Sequence, residues 1–269
     1  MGGGIAQVSA QSGFTTILFD LDARVLERAE FTIHKNLQHL VVRQKISAEE
    51  IQEIFQRIHF VTDIRACTGE VIIEAIVEKT EAKVALFNQL AEINTNEVIF
   101  ATNTSSLRVS EIQHKVLHPQ RVAGMHFFNP APLMKLVEVI KGDQTSETVA
   151  NKIYILAKQM GKTPVMCKDV PGFIVNRVAR HYYLEAMKLV EEKVATIENI
   201  DTITEAAGFK MGPFKLMDLI GMDINLSVSQ SIYQAFDKAE RFRPSALQID
   251  KVNKGELGCK SGKGFYEYK

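Results

Sequence analysis

The sequence has no tryptophan and only three cysteines in 269 residues. Cys67, Cys167 and Cys259 are scattered, form no CxxC pair and have no metal-ligand spacing. That sets aside a disulfide framework, a metal site and a thiol–disulfide centre, and it fits reduced thiols in a cytoplasmic protein. An excess of either charge is also missing: Lys and Arg total 32, Asp and Glu total 32, and neither sign is gathered into a block. Nucleic acid and anionic membrane are therefore not expected as main partners, although a local basic patch for a phosphorylated ligand is compatible with the balance. No apolar run is long enough to span a bilayer and no secretory leader opens the chain, so a cytoplasmic location is expected. Repeats and low-complexity linkers are absent as well. What is present is an ordinary globular composition, 46% hydrophobic and 24% charged, at a length that suits two domains.

The first residues are glycine-rich. Ile5–Ser12 reads as a short helix closed by Gly13, and Phe14–Phe19 as a β-branched and aromatic strand ending at Asp20. Glycine, helix, strand and acid in this order form the second half of a dinucleotide-binding βαβ unit. The acid falls roughly 20 residues after the glycines, where a ribose-binding carboxylate belongs. From Arg24 to about Arg57 the spacing predicts a helical hairpin projecting from the domain. Leu26, Ala29, Ile33, Leu37 and Leu40 lie on one face, and Ser47 with Glu50 makes a capping box. Lys35, Arg43 and Lys45 are candidates for ligand phosphates, or they belong to a solvated helix face.

Beyond the hairpin, strands are expected at His59–Thr62, Val71–Val77 and Val98–Thr102, with a helix over Thr80–Glu92. The nearly all-apolar second strand suits the buried centre of a parallel sheet, and Glu78 follows at its carboxyl end, where ligands sit in open α/β sheets. Asn103-Thr104-Ser105-Ser106 after the next strand is either a helix N-cap or a ligand contact. A helix near Ser146–Met160 and a strand over Thr163–Lys168 come next. Pro171-Gly172 then breaks the pattern, and the rest is mostly helical, so the reading is a domain over 1–170 and an all-α domain over 171–269. Its surplus of apolar faces suggests a dimer interface.

The most informative stretch is Arg121–Ile140, RVAGMHFFNPAPLMKLVEVI. Two apolar strands flank a turn that holds both local prolines. If they fold back about Pro132, His126 comes opposite Glu138. A carboxylate beside an imidazole holds one ring tautomer and balances the charge of the protonated ring. Such a ring can take a proton from an alcohol. Taken alone, a histidine at a strand end is as readily structural or exposed; the acid on the next strand is what points to catalysis.

With these residues in place the chain resembles the 3-hydroxyacyl-CoA dehydrogenase family, and within it the short 3-hydroxybutyryl-CoA type. The matching segments are GGGIAQ, EAIVE, NTSSL, HFFNP, LVEVI, PGFIVNR, MGPF and GKGFY, nearly end to end. HFFNP, LVEVI and PGFIVNR at this spacing are highly specific together. The resemblance implies a Rossmann-like NAD-binding domain followed by an all-α C-terminal domain that dimerises, with NAD as cofactor, an acyl-CoA as substrate and no metal. It places the catalytic pair on His126 and Glu138, with Ser105 and Asn176 as supporting polar residues that also hold substrate oxygens. NAD contacts fall on Gly2, Asp20, Glu78, Lys83, Ser105, Asn129 and Lys260. Acyl-CoA contacts in the hairpin fall near Asn36 and Arg43, where the family pattern would have serine and lysine. By residue type alone, Asp20 could cap a turn, Asn176 could be a buried hydrogen-bonding residue of a helix, and Lys260 could belong to a flexible solvated tail.

The family pattern begins with a strand and GxGxMG, and Met1-Gly2 looks like the last two residues of that motif. The first strand of the sheet is thus apparently missing from the chain as it reads, with upstream residues lost or an internal methionine used as start. If it is truly missing, two strand edges in mid-sheet are expected to lack partners. Weak NAD binding, low stability or another element filling the gap would follow. Two other readings share the scaffold: a hydroxy-acid dehydrogenase that does not use CoA, and a non-catalytic crystallin-like protein.

Overall fold

The computed structural model describes residues 1–268. The chain forms two compact units, Met1–Asp169 and the segment from Val170 onward.

The first unit is α/β. Helix α1 (Gly2–Gln11) leads into β1 (Thr16–Phe19), the hairpin α2 (Ala23–Val42) and α3 (Ala48–Gln56), and β2 (Ile58–Val61). There follow β3 (Val71–Glu74), α4 (Thr80–Ile93), β4 (Ile99–Thr102), α5 (Val109–Gln113), β5 (Val122–Phe127), β6 (Leu136–Lys141), α6 (Glu147–Gln159) and β7 (Thr163–Lys168). β1 pairs in parallel with β2 alone, while β3-β4-β5-β6-β7 make a second sheet, parallel except where β6 runs antiparallel to β5. Among the described residues no strand joins β1 to β3. Helix α1 ties the two sheets together instead: Ile5 and Val8 pack with Ile99, Met125 and Val139 of the large sheet, and Ala10 packs with Ile33, Leu37, Ile54 and Ile58 around the small one. Each such Ile or Leu withdrawn from water contributes about 1.5–3 kcal/mol.

Local rules explain most boundaries. The capping box at Ser47 forms as the sequence predicts, with Ser47 and Glu50 each accepting the other's backbone N–H. The hairpin does not stand clear of the domain, because its apolar face of Ile33 and Leu37 packs on α1. The strand expected to start at Phe14 starts at Thr16, since the Phe14 N–H turns back to the Ser9 carbonyl. The strand expected to reach Val77 stops at Glu74, whose carboxylate accepts the Ile76 N–H at 2.6 Å and turns the chain out of the sheet. Helix α5 is capped by neither Asn103 nor its neighbours. Asp169 accepts from the N–H groups of Val109 and Ser110 at 2.9 and 2.8 Å.

The second unit holds α7 (Val175–Glu191), α8 (Ile197–Ala206), α9 (Pro213–Ile220), α10 (Met222–Ala235) and α11 (Ala246–Asn253). Its core joins Tyr183, Met187, Ile200, Phe214, Met217 and Met222. The glycine- and lysine-rich end is folded rather than free. Buried Asp218 accepts from the N–H groups of Phe265 and Tyr266 and from the Tyr268 hydroxyl, each at 2.9 Å. Gly258, at φ 92°, passes so close that an added Cβ would lie 2.2 Å from the Asp218 carbonyl oxygen. No helix among the described residues is long and apolar enough to cross a membrane.

Candidate active site

The carboxyl ends of the strands in the first unit gather most of its predicted site residues. β5 and β6 pair with His126 directly opposite Glu138. The turn between them is held by Lys162, whose ammonium donates to the carbonyls of Ala131 and Met134 at 2.6 and 2.9 Å. Gly124 lets the strands approach, since a Cβ there would meet the Ile140 Cβ at 2.7 Å. His126 Nδ1 lies 2.8 Å from Glu138 Oε2, with the residues 5% and 1% exposed. An ionised carboxylate can only accept, so Nδ1 carries a proton in this contact, and in the neutral ring the lone pair is then on Nε2. Phe128 stands beside the ring, with centroids 4.5 Å apart.

One strand over, Glu78 organises the loop after β4. Its Oε1 accepts from the Thr104 hydroxyl at 2.6 Å, the Ser105 N–H at 2.9 Å and the Ser106 N–H at 3.1 Å. Burial opposes its ionisation, but the Thr104 hydroxyl, the Lys83 charge and the Ser105 N–H outweigh it and hold the carboxyl below the ordinary range. Asn103 accepts the Phe127 N–H at 2.8 Å and so fixes this loop to the end of the histidine strand. The equal choice left open by the sequence narrows here, because Asn103–Ser106 caps no helix.

Lys83 is 1% exposed, and its ammonium is bound to Glu74 at 2.7 Å and to Glu78 at 3.2 Å. Its charge is thus taken up by two carboxylates, one of which, Glu78, organises the loop after β4. Glu74, which the sequence reading passed over, also accepts from the Thr102 hydroxyl at 2.7 Å. Its signal was available: an acid inside an apolar strand, the same feature that marked Glu138.

The dinucleotide residues fit NAD on their own geometry. Helix α1 opens without a side-chain cap or an acid in its first turn, and the first N–H with an acceptor inside the chain is that of Ile5. Free N–H groups at a helix start suit a pyrophosphate. A Cβ on Gly4 would come 3.2 Å from Pro132 Cδ, so Gly4 lies against the turn that carries exposed Asn129. Asp20 closes β1 with one carboxylate oxygen on the Asp22 N–H at 3.0 Å. In the hairpin, the Asn36 side chain donates to Gln7 of α1 at 3.0 Å, and Arg43 is exposed at the end of α2. Neither Asn36 nor Arg43 is brought to the His126 pair by any contact found here. In the helical unit, Asn176 sits in the first turn of α7, and Lys260 pairs with Asp223.

A Rossmann-like sheet with an open helix start, a strand-end acid and a buried imidazole–carboxylate pair defines an NAD-linked oxidoreductase. Comparison with known proteins gives the family. Residues 1–170 match the 3-hydroxyacyl-CoA dehydrogenase NAD binding domain, and residues 172–268 match the C-terminal domain of the same enzymes. The chain belongs to the 3-hydroxyacyl-CoA dehydrogenase family. It is 46% identical to the 3-hydroxyadipyl-CoA dehydrogenase of Escherichia coli K12 over its whole length, which spans 57% of that protein. It is 42% identical to a probable 3-hydroxybutyryl-CoA dehydrogenase of Deinococcus radiodurans, spanning 96% of it. The crystal structure of a 3-hydroxybutyryl-CoA dehydrogenase from E. coli K12 superposes with a TM-score of 0.96 at 47% identity, covering all of this chain and 57% of that one.

Proposed function

We propose that the chain interconverts (3S)-3-hydroxyacyl-CoA and 3-ketoacyl-CoA thioesters with NAD, with 3-hydroxybutyryl-CoA as the expected substrate. The observation that carries the reading is the buried His126–Glu138 contact at 2.8 Å. A carbon releases hydride readily only while its oxygen is losing a proton, so a base must touch the hydroxyl. His126 Nε2 is that base, and in reduction of the ketone the same nitrogen returns the proton. Glu138 orients the ring and balances the imidazolium. Ser105 and Asn176 hold the substrate oxygens. NAD, when bound, would supply the acceptor for the hydride that leaves substrate C3. The Asp20 carboxylate accepts from the ribose hydroxyls and repels a 2′-phosphate. Asn129 and Lys260 are further NAD contacts, and Asn36 and Arg43 meet the CoA portion.

The names of the two relatives share a 3-hydroxyacyl thioester and differ in the far end of the acyl chain, so the shared chemistry is what this reading adopts. We place the enzyme in the cytoplasm, which the three free thiols support. We further place it in a homodimer formed through the helical unit, where Val178, Ile203 and Leu219 are each more than half exposed.

NADH absorbance with acetoacetyl-CoA tests the reading. Rapid loss of NADH with little loss of NADPH is expected. Silence with both cofactors, or equal use of them, would refute the reaction or the role of Asp20 respectively.

A further inference from the structure

Among the described residues, the helical unit buries a positive charge without a counter-ion. Arg180 is 3% exposed. Its Nη1 makes all the hydrogen bonds found for the guanidinium, and all go to neutral acceptors: the Asn225 backbone carbonyl at 2.9 Å, Asn225 Oδ1 at 3.1 Å and Ser229 Oγ at 2.7 Å. The Tyr183 ring lies 4.9 Å from the guanidinium carbon. Desolvation draws the Arg180 pKa down to about 10, and Tyr183 is the one group whose charge opposes that shift. A lone buried cation is costly, and an anion beside it is the remedy.

The cluster also has spare donors. Arg180 Nε and Asn225 Nδ2 are buried and lack an acceptor, and Gln248 Oε1 lacks a donor. Reversing the two amides does not help. Asn225 Oδ1 already receives Arg180 Nη1 and Gln248 Nε2, and reversal would set an NH₂ group against the guanidinium. Positive charge and unfilled donors in one place call for an acceptor that is itself negative. A carboxylate meets both needs and can take two guanidinium N–H groups at once.

Arg180 lies four residues after Asn176 on α7, so the two share a helix face about 6 Å apart along the axis. Asn176 is assigned above to a substrate oxygen, and the inference rests on that reading. We propose that Arg180, with Asn225, Ser229 and Gln248 around it, is the receptor for a second carboxylate at the far end of the acyl chain, so that CoA thioesters of dicarboxylic acids are accepted beside 3-hydroxybutyryl-CoA and gain affinity from that carboxylate.

Calorimetric titration of the full chain with adipyl-CoA and with hexanoyl-CoA tests this. The two thioesters have equal length, differ in the terminal carboxylate and lack the C3 oxygen, so binding is read without turnover. Adipyl-CoA should bind at least about tenfold tighter. Arg180→Met should abolish the difference, and Arg180→Lys should keep part of it. Equal binding of the two thioesters by the unaltered chain overturns the proposal whether or not the methionine variant folds. So does binding of neither, or a preference that survives in Arg180→Met. The acetoacetyl-CoA assay stands apart: a chain that prefers adipyl-CoA yet oxidises no NADH would retain the carboxylate receptor and lose the oxidoreductase reading.

Discussion

At the scale of single residues, two buried carboxylates in this chain do different work because they meet different partners. Glu138 faces an imidazole, and replacing it with Gln would leave the ring in place but allow either tautomer. Replacing His126 with Ala should lower kcat by about 10²–10⁴-fold while the NADH dissociation constant, read by fluorescence titration, stays within about twofold. A kcat near normal would remove His126 from the reaction. Glu74 faces an ammonium instead. Lys83→Met strands that carboxylate in the interior and should cost about 3–5 kcal/mol in denaturant unfolding, most of it recovered in the Glu74→Leu/Lys83→Met double variant. A single-variant loss below about 1 kcal/mol would mean that the pair is far less coupled than its 2.7 Å contact implies. Glu138 was legible in the sequence because a histidine lay opposite it across one turn, a pairing that period-two geometry enforces. Glu74 gave the same signal of an acid inside an apolar strand, but its pairing was not legible, because Lys83 comes from a helix, and which turn of α4 faces β3 is set by packing that no local pattern records. Arg180 was hidden for the same reason, since its hydrogen-bond partners lie 45 or more residues away.

At the scale of elements, the loop after β4 depends on one ionised side chain. Glu78 takes four donors of the Thr104–Ser106 segment, and its pKa is lower in the folded chain than its ordinary value of 4.5. A depressed carboxyl favours the folded form fully above the ordinary value, and that contribution fades as pH falls through the lower, folded value. The ¹⁵N-resolved amide shifts of Ser105 and Ser106 should therefore titrate together with a midpoint below 4.5, and should be flat in Glu78→Gln. A midpoint above 4.5 would contradict the assigned network. Sequence rules handled caps unevenly for a physical reason. Ser47 and Glu50 are three residues apart, and local spacing alone specifies their box. Asp169 caps α5 from about 60 residues away, and no window of sequence contains both. Cys167, two residues before that acid, is pushed up to about 12 by burial and by the charges of Glu138 and Asp169. Iodoacetamide near pH 8 should label exposed Cys259 well before Cys167.

At the scale of the whole molecule, the change from strands to helices beyond Pro171-Gly172 was visible in the sequence, and the structure gives each compact unit a core of its own. The folded C-terminal strap was not visible, because glycines and lysines read as a tail until Asp201 and Asp218 are placed beneath them. Asp201 accepts from the Phe214 and Lys215 N–H groups and from the Tyr266 hydroxyl, so two buried acids bind the strap to the start of α9 and to its interior. Replacing Asp218 with Ala leaves the N–H groups of Phe265 and Tyr266 and the Tyr268 hydroxyl without their acceptor. Each buried group so stranded costs about 1–3 kcal/mol. In the proposed reading NADH meets chiefly the first unit, with Lys260 of the strap as one further contact: at 100 times its dissociation constant it should add about 2.7 kcal/mol to whatever structure binds it. Differential scanning calorimetry should therefore show Asp218→Ala lowering the unfolding temperature of the helical unit, with hydrogen exchange locating the loss at residues 258–268. In the same variant, NADH should still protect Gly2–Asp20 and the Glu78 loop from exchange. If the strap variant lost NADH protection along with its own helices, the cofactor site would depend on the helical unit as a whole. A single folded strap would then govern both halves of the chemistry.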